Sequence, residues 1–260
     1  MSELDEKLAK SLTAEDTGLL PYLPYLLQDL WEIGSSPADM IALVKRHIPA
    51  PDTLRVLDLA CGKGAVSVQM AKALGCRVKG VDIVPEFIAY AAQKAKEHGV
   101  QALCNFEAGD ANEAVTSERG YDVVIWGAAG DVLGDQRATL IKLCQTIGQG
   151  GYLLLDDAYT REGASGETRY DYCDYPTYDR WMELFAACGL TLVEALPAQD
   201  DEMAAVNEHN TAAIITRANE LKERLPDKQA MFDGYIQSQL NECDDLADTL
   251  AGVTWLLRKN

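Results

Sequence analysis

No segment of the 260 residues gathers lysine and arginine into a stripe, and 23 basic against 41 acidic side chains leave a formal charge of −18. That balance argues against nucleic acid, whose binding depends on neutralising phosphates. Also missing is any run near the roughly 18 apolar residues of a membrane helix. The first residues, MSELDEKLAKSLTAEDTG, lack the basic-then-apolar order of a signal peptide. The expectation is a cytoplasmic protein with no membrane contact. The seven cysteines, at 61, 76, 104, 144, 173, 188 and 243, contain no C-x-x-C pair, which removes the usual zinc and redox-dithiol signals and leaves them as small buried hydrophobes. His, Cys and carboxylates nowhere cluster with ligand spacing, so no metal is expected. There are only three histidines: His47 and His98 sit at element ends, and His209 falls in a polar stretch.

What is present is length and rhythm. A chain of this size with 48% hydrophobic residues can bury one sizeable core. From Leu54 onward, strand-like and helix-like segments alternate: LRVLDLA, AVSVQMAKALG, CRVKGVD, PEFIAYAAQKAKEHG, VQALCNFEAGD, YDVVIWG, DQRATLIKLCQTIGQGG and YLLLDD. Strands alternating with helices of this length imply right-handed crossovers, hence a parallel sheet with helices on both faces. The chain then changes texture. AYTREGASGETRYDYCDYPTYDRW reads as a Tyr- and Asp-rich loop of about two dozen residues, far beyond the usual connection. A helix (PTYDRWMELFAACG), a strand (LTLVEALP), a polar helical stretch from about 199 to 249 and a last strand (GVTWLLRK) follow. Residues 1–50, with LLPYLPYLLQDLWEIGSSPADMIALVKRHIP, read as an N-terminal helical cap ahead of a main domain at 51–260.

The turn in VLDLACGKG admits three ligands. A phosphate-binding P-loop needs G-x-x-x-x-G-K-[ST], but Ala65 and Val66 follow Gly64. A dinucleotide fingerprint needs a third glycine where Ser67 stands. The third reading starts from Asp58, at the carboxyl end of a buried strand, where a charge is costly without a polar partner. A cationic amino group would supply one. The small-residue turn lets backbone approach a ligand, and the helix start beyond it favours a carboxylate. An amino acid head group satisfies all three.

On VLDLACGKG, with Ala60 in the first glycine position of D-x-G-x-G-x-G, the sequence resembles the class I S-adenosylmethionine-dependent methyltransferases. The resemblance implies that Asp58, Ala60, Gly62 and Gly64 seat the methionine end of S-adenosylmethionine. It also implies that Asp82 meets the two ribose hydroxyls, Ile83 lies on the adenine, and Asp110 and the Ala111 N–H meet its edge. Trp31 and Trp126 join this cofactor set. The family's sheet is Rossmann-like and seven-stranded, in the order 3-2-1-4-5-7-6 with the last strand antiparallel. It makes the 199–249 stretch a helical insertion that covers the substrate side or builds a homodimer interface.

The fourth strand ends in WGAAGD, without the [DN]-P-P-[YFW] motif of base-methylating enzymes, which together with the charge points to a small-molecule acceptor. Asp156, Asp157 and Tyr159 are the substrate-side candidates, by position after the fifth strand. The loop's Tyr170, Tyr172, Tyr175 and Tyr178 suit a cationic amine, whereas Arg161 and Arg169 suit a carboxylate. At the N-terminus, Tyr22, Tyr25 and Trp31 are placed to close over the cofactor or acceptor. Two other functions fit the same residues: aminopropyl transfer to a polyamine, and non-catalytic binding of S-adenosylmethionine.

Overall fold

The apolar N-terminal stretch does not run as one helix, because Pro21, Pro24, Gly34 and Pro37 divide it. After α1 (Glu3–Ser11) come a 3-10 turn over Thr17–Tyr22 and the single-turn α2 (Leu23–Leu26), which starts at a proline. Gly34 takes a left-handed φ of +112°, and α3 (Pro37–His47) then begins with Ser36 accepting from Asp39 N. Pro24 and Pro37 fall in the first turns of α2 and α3, where proline is favourable, whereas Pro21 sits inside the short 3-10 turn and keeps it from continuing as an α-helix. The computed structural model describes residues 3–164, 168–169 and 175–260.

The alternating core follows: β1 (Arg55–Leu59), α4 (Ala65–Leu74), β2 (Arg77–Asp82), α5 (Pro85–Glu97), β3 (Cys104–Ala108), α6 (Ala111–Ser117), β4 (Tyr121–Gly127), α7 (Gln136–Thr146), β5 (Ile147–Thr160), α8 (Tyr178–Ala187) and β6 (Leu190–Pro197). Two long helices, α9 (Asp200–Arg224) and α10 (Gln229–Asp248), precede β7 (Leu250–Lys259). The sheet order is β3-β2-β1-β4-β5-β7-β6, with β7 antiparallel to both neighbours. This is the order and polarity expected. Asp58 pairs with Gly80, Leu59 with Val81 and Trp126, and Asp82 with Ala108, so the carboxyl ends of β1 to β4 lie level along one edge.

Alternation along each strand feeds two cores. Leu57, Leu59, Leu153, Leu155 and Trp255 pack on the α6, α7 and α8 side, where Trp181 and Phe185 stack. Val56, Leu154 and Leu256 pack on the other, with Met40, Leu43 and Val44 of α3 and the apolar face of α4. A third core lies above the sheet edge. There Leu19, Leu23, Leu26, Leu27 and Leu30 meet Ile214, Ala218 and Leu221 of α9 and Phe232 and Tyr235 of α10.

Three boundaries differ from the sequence reading. The glycines of IGQGG do not stop a helix; they open β5, where Tyr121 pairs with Ile147 and Val123 already with Tyr152. The bulge needs them: Gly150 has φ +70°, and a Cβ on Gly151 would stand 2.9 Å from the Asp122 carbonyl oxygen. Residues 100–103 form a turn rather than strand, closed by Leu103 N donating to Val100 O at 2.8 Å. The long loop is shorter than its composition implied, since β5 runs to Thr160 and Thr177 caps α8. Among the described residues, no helix is long and apolar enough to cross a membrane.

Candidate active site

The turn after β1 is built on left-handed backbone. Ala60, Gly62 and Gly64 have φ of +54°, +53° and +71°. Cys61 N donates to Val81 O at 3.1 Å, which ties the turn to β2. A Cβ on Gly62 would sit 3.0 Å from Ile33 Cδ1, and one on Gly64 2.6 Å from Ala91 Cβ, so side chains are excluded there by space as well as by φ. Ala60 is therefore strained where the family pattern carries glycine. Ala60→Gly is expected to raise stability by about 0.5–1 kcal/mol, the left-handed penalty less the extra chain entropy of glycine. A higher urea midpoint at unchanged slope is the check.

Two carboxylates frame the turn. Asp58, 3% exposed, accepts from Ser67 Oγ at 2.6 Å. Burial pushes its carboxyl up to about 7 against the lowering effect of that hydrogen bond. Asp82, 8% exposed, accepts from Gly62 N through Oδ2 at 2.8 Å and from Val84 N through Oδ1 at 2.9 Å. Its carboxyl is also raised by burial. A carboxylate offers about four lone-pair positions, so two remain on Asp82 for other donors. Asp110 caps α6 through Oδ1, accepting from Asn112 N at 2.7 Å, and its second oxygen stays available. Its N-cap role and its position in the crevice coexist.

Asp58, Ala60, Gly62, Asp82, Ile83, Asp110 and Ala111 line one crevice along the sheet edge, and Trp31 lines it from the N-terminal segment. Trp31 Nε1 donates to Lys63 O at 3.1 Å, and its ring lies 5.0 Å from that of His98. Gly64 stands just behind, as N-cap of α4. Trp126 is not among the lining residues. It is 1% exposed within the α7-side core, because Ile125 and Gly127 take the crevice side and strand alternation turns Trp126 away. Tyr22 and Tyr25 also face elsewhere: Tyr22 meets Phe232 edge-on at 5.4 Å, and the Tyr25 hydroxyl bonds Glu220.

An amino acid head group fits this cradle. Asp58 is a buried carboxylate whose partners, the Ser67 hydroxyl and backbone N–H, are both uncharged, and the first N–H groups of α4 have no partners within the helix. The residues sequence reasoning missed are Ser67, Lys63 and α1. Ser67 fails as a third glycine because its hydroxyl serves Asp58. Lys63 Nζ, 3% exposed as a residue, donates to Leu30 O at 2.6 Å and to Leu27 O, and lies 4.9 Å from the Tyr90 ring centroid. Burial lowers its ammonium to about 8. Leu4, Leu8 and Leu12 of the α1 region complete the crevice wall.

A second cavity, of about 400 Å³, adjoins the first and shares Ser11, Leu12, Ile33, Ser35 and Ala128 with it. Asp156 and Asp157 line it, together with Tyr175 and residues of α9, α10 and β7. Asp156 accepts from Thr254 Oγ1 at 2.6 Å and Asp157 from Ala158 N at 2.7 Å. Burial raises their carboxyls to about 6 and about 7. Tyr159 lies away from both cavities, edge-on to Tyr178 at 5.3 Å and against the α8-side core. Tyr170, Asp171, Tyr172, Cys173 and Asp174 fall outside the described residues. Among the described residues, no group of three His, Cys, Asp or Glu is placed to hold a metal.

Comparison with known proteins agrees with the fold and gives the family. A family model described as a methyltransferase domain matches residues 51–247. The structure of an S-adenosylmethionine-dependent methyltransferase from Geobacter sulfurreducens, in complex with S-adenosylhomocysteine, superposes with a TM-score of 0.76 at 22% identity, covering 92% of this chain and 98% of that one. The Escherichia coli protein YjhP superposes with a TM-score of 0.73, covering 98% of this chain and all of the other. In sequence, YjhP is 28% identical over 153 residues, 56% of this chain and 61% of its own length. Norajmaline N-methyltransferase from Rauvolfia serpentina is 31% identical over 77 residues, 30% of this chain and 26% of its own length. The matched stretches thus span less than two thirds of either relative.

Proposed function

Because the chain belongs to the methyltransferase-domain family, as a class I S-adenosylmethionine-dependent enzyme, we propose that it methylates a small molecule held in the second cavity, by direct in-line transfer. The observation that carries this reading is the cavity itself: about 400 Å³, continuous with the cofactor crevice through shared walls, and within the size range of small-molecule sites. A net charge of −18 opposes a nucleic-acid acceptor.

S-adenosylmethionine, when bound, supplies a methyl group already activated by its sulfonium. The chain holds and orients. Asp58 and the start of α4 take the amino acid head group, Asp82 the ribose hydroxyls, and Ile83, Asp110 and Ala111 the adenine. Positioning and exclusion of water then account for most of the rate. No side chain needs to act as a nucleophile. Turnover of methyl-labelled cofactor with a panel of amines, phenols and carboxylates tests the reading, and tight cofactor binding without turnover of any small molecule would count against it.

The segment up to about residue 36 serves as a lid over both cavities, braced by α9 and α10. Arg217 of α9 holds Asp29 through two hydrogen bonds, at 2.6 and 3.0 Å. Lys63 ties the same segment to the cofactor turn. Lys63→Met is expected to weaken cofactor affinity by about 1–2 kcal/mol, since it removes the charged hydrogen bonds between turn and lid and leaves only the neutral one from Trp31 Nε1 to the backbone at 63. Hydrogen exchange checks it: amides from Leu27 to Trp31 should lose protection while those of β1 and β4 keep it.

A further inference from the structure

We propose that the acceptor bound in the second cavity is a cationic amine, recognised by Asp156 and Asp157 at the carboxyl end of β5. The inference rests on the small-molecule methyltransferase reading and adds the class of substrate.

The cavity wall is charged with one sign only. Glu32, Asp39, Asp156, Asp157, Glu202 and Glu242 line it, and among the described residues no Lys, Arg or His does. The charge is not a metal site, since no three of these groups converge on one point. It is spread along a wall that also carries Leu196, Val206 and Ile214. Dispersed carboxylates beside apolar side chains suit an organic cation with an apolar body.

The arginines that favoured an anionic acceptor in the sequence are engaged elsewhere. Arg161 donates to Leu250 O and to Asp200 Oδ1, both at 2.7 Å. Arg169 pairs with Asp245 at 3.2 Å and with Asp248 at 2.8 Å. Neither lines the cavity. A carboxylate-bearing acceptor would therefore enter a pocket of like charge with no counter-ion among the described residues, which repulsion disfavours.

The same carboxylates answer a chemical need. An ammonium nitrogen has no lone pair, so it must lose a proton before it can accept a methyl group. Burial and the neighbouring Asp39 raise Asp156 to about 6, and burial raises Asp157 to about 7, which suits both as bases near neutral pH. One proton passes from nitrogen to a carboxylate oxygen, and the N–H bonding pair becomes the lone pair. That pair forms the N–CH3 bond, while the electrons of the broken C–S bond remain on sulfur.

Calorimetry on the full chain saturated with S-adenosylhomocysteine tests the inference. The probes are benzylamine, hexylamine and tryptamine, each against the carboxylate and the alcohol of matched length. At least one amine is expected to bind tenfold or more tighter than both its counterparts. The isosteric Asp157→Asn should lower that affinity at least tenfold, the weight of one charged hydrogen bond, and leave S-adenosylhomocysteine affinity within twofold. Amines binding no better than matched carboxylates would overturn the proposal, as would an amine preference that survives both Asp156→Asn and Asp157→Asn. Failure to bind S-adenosylhomocysteine at all would instead remove the methyltransferase reading, and the inference with it.

Discussion

Gly62→Val is expected to abolish S-adenosylmethionine binding in a chain that still folds. Three effects act at one position. The backbone there has φ +53°, which costs an L-residue roughly 1–2 kcal/mol and a β-branched one more. The first added carbon would meet Ile33 Cδ1 at 3.0 Å and Cγ1 at 3.3 Å, before either valine methyl is placed. Ile33 lines both cavities, so its displacement reshapes the cofactor and acceptor sides together. Relief by peptide rotation would break the Gly62 N–H bond to Asp82, which together with Cys61 N to Val81 O fixes the turn against β2. The clash lies outside the strands, since Ile33 packs on the core above the sheet edge whereas Leu57 and Leu59 pack in the core on the α6–α8 side. Circular dichroism should stay near that of the parent while calorimetry shows no heat of cofactor binding. Affinity retained within threefold would sink the assignment of this turn.

The fold was legible because its signals are local and repeated. Each crossover carries its own strand and helix pattern, and GVTWLLRK reads as a strand from its own apolar run. The boundaries that were misread involve glycine and proline used for less common purposes. In IGQGG the glycines make a bulge inside β5, where Gly151 lies against two backbone carbonyls. Such contact comes from Tyr121 and Asp122 of β4, about 30 residues earlier in the chain, and leaves no mark on local pattern. In the site, Asp58, Asp82 and Asp110 stood out because a carboxylate at a strand's end is conspicuous against apolar neighbours.

Trp126 shows the opposite case. It stands one residue before the end of β4, where one step of alternation decides whether a side chain meets ligand or core, and at a strand end the sequence pattern does not fix that step. Lys63 was hidden for another reason: a lysine in a turn reads as solvated, and only the fold of residues 27–30 brings two carbonyls to it. Tyr22 and Tyr25 were expected to close over the cofactor or acceptor, but they meet Phe232 and Glu220, some 200 residues away. Long-range packing of the insertion onto the N-terminal segment is a property of the third core, which the sequence shows only as two separate amphipathic stretches.

Asp82→Ala separates two roles that one carboxylate carries, and its effect on affinity is expected to be large. Truncation removes the acceptor for Gly62 N and for Val84 N, at 2.8 and 2.9 Å. Each buried donor left without a partner costs about 1–3 kcal/mol, less whatever water recovers in the space created. The unliganded chain should therefore lose stability. Cofactor affinity should fall by a further amount, about 1.5–3 kcal/mol, if the free lone pairs of Asp82 take the ribose hydroxyls. Measuring affinity alone confounds the two, because a loosened turn also binds poorly. A double-mutant cycle resolves them: S-adenosylhomocysteine and its 2′-deoxy analogue, each titrated against parent and Asp82→Ala. Direct contact predicts that deleting the hydroxyl weakens binding to the parent and changes nothing in the variant. If the deletion costs the same in both proteins, Asp82 acts only through the turn, and the ribose must be held by another group in the crevice.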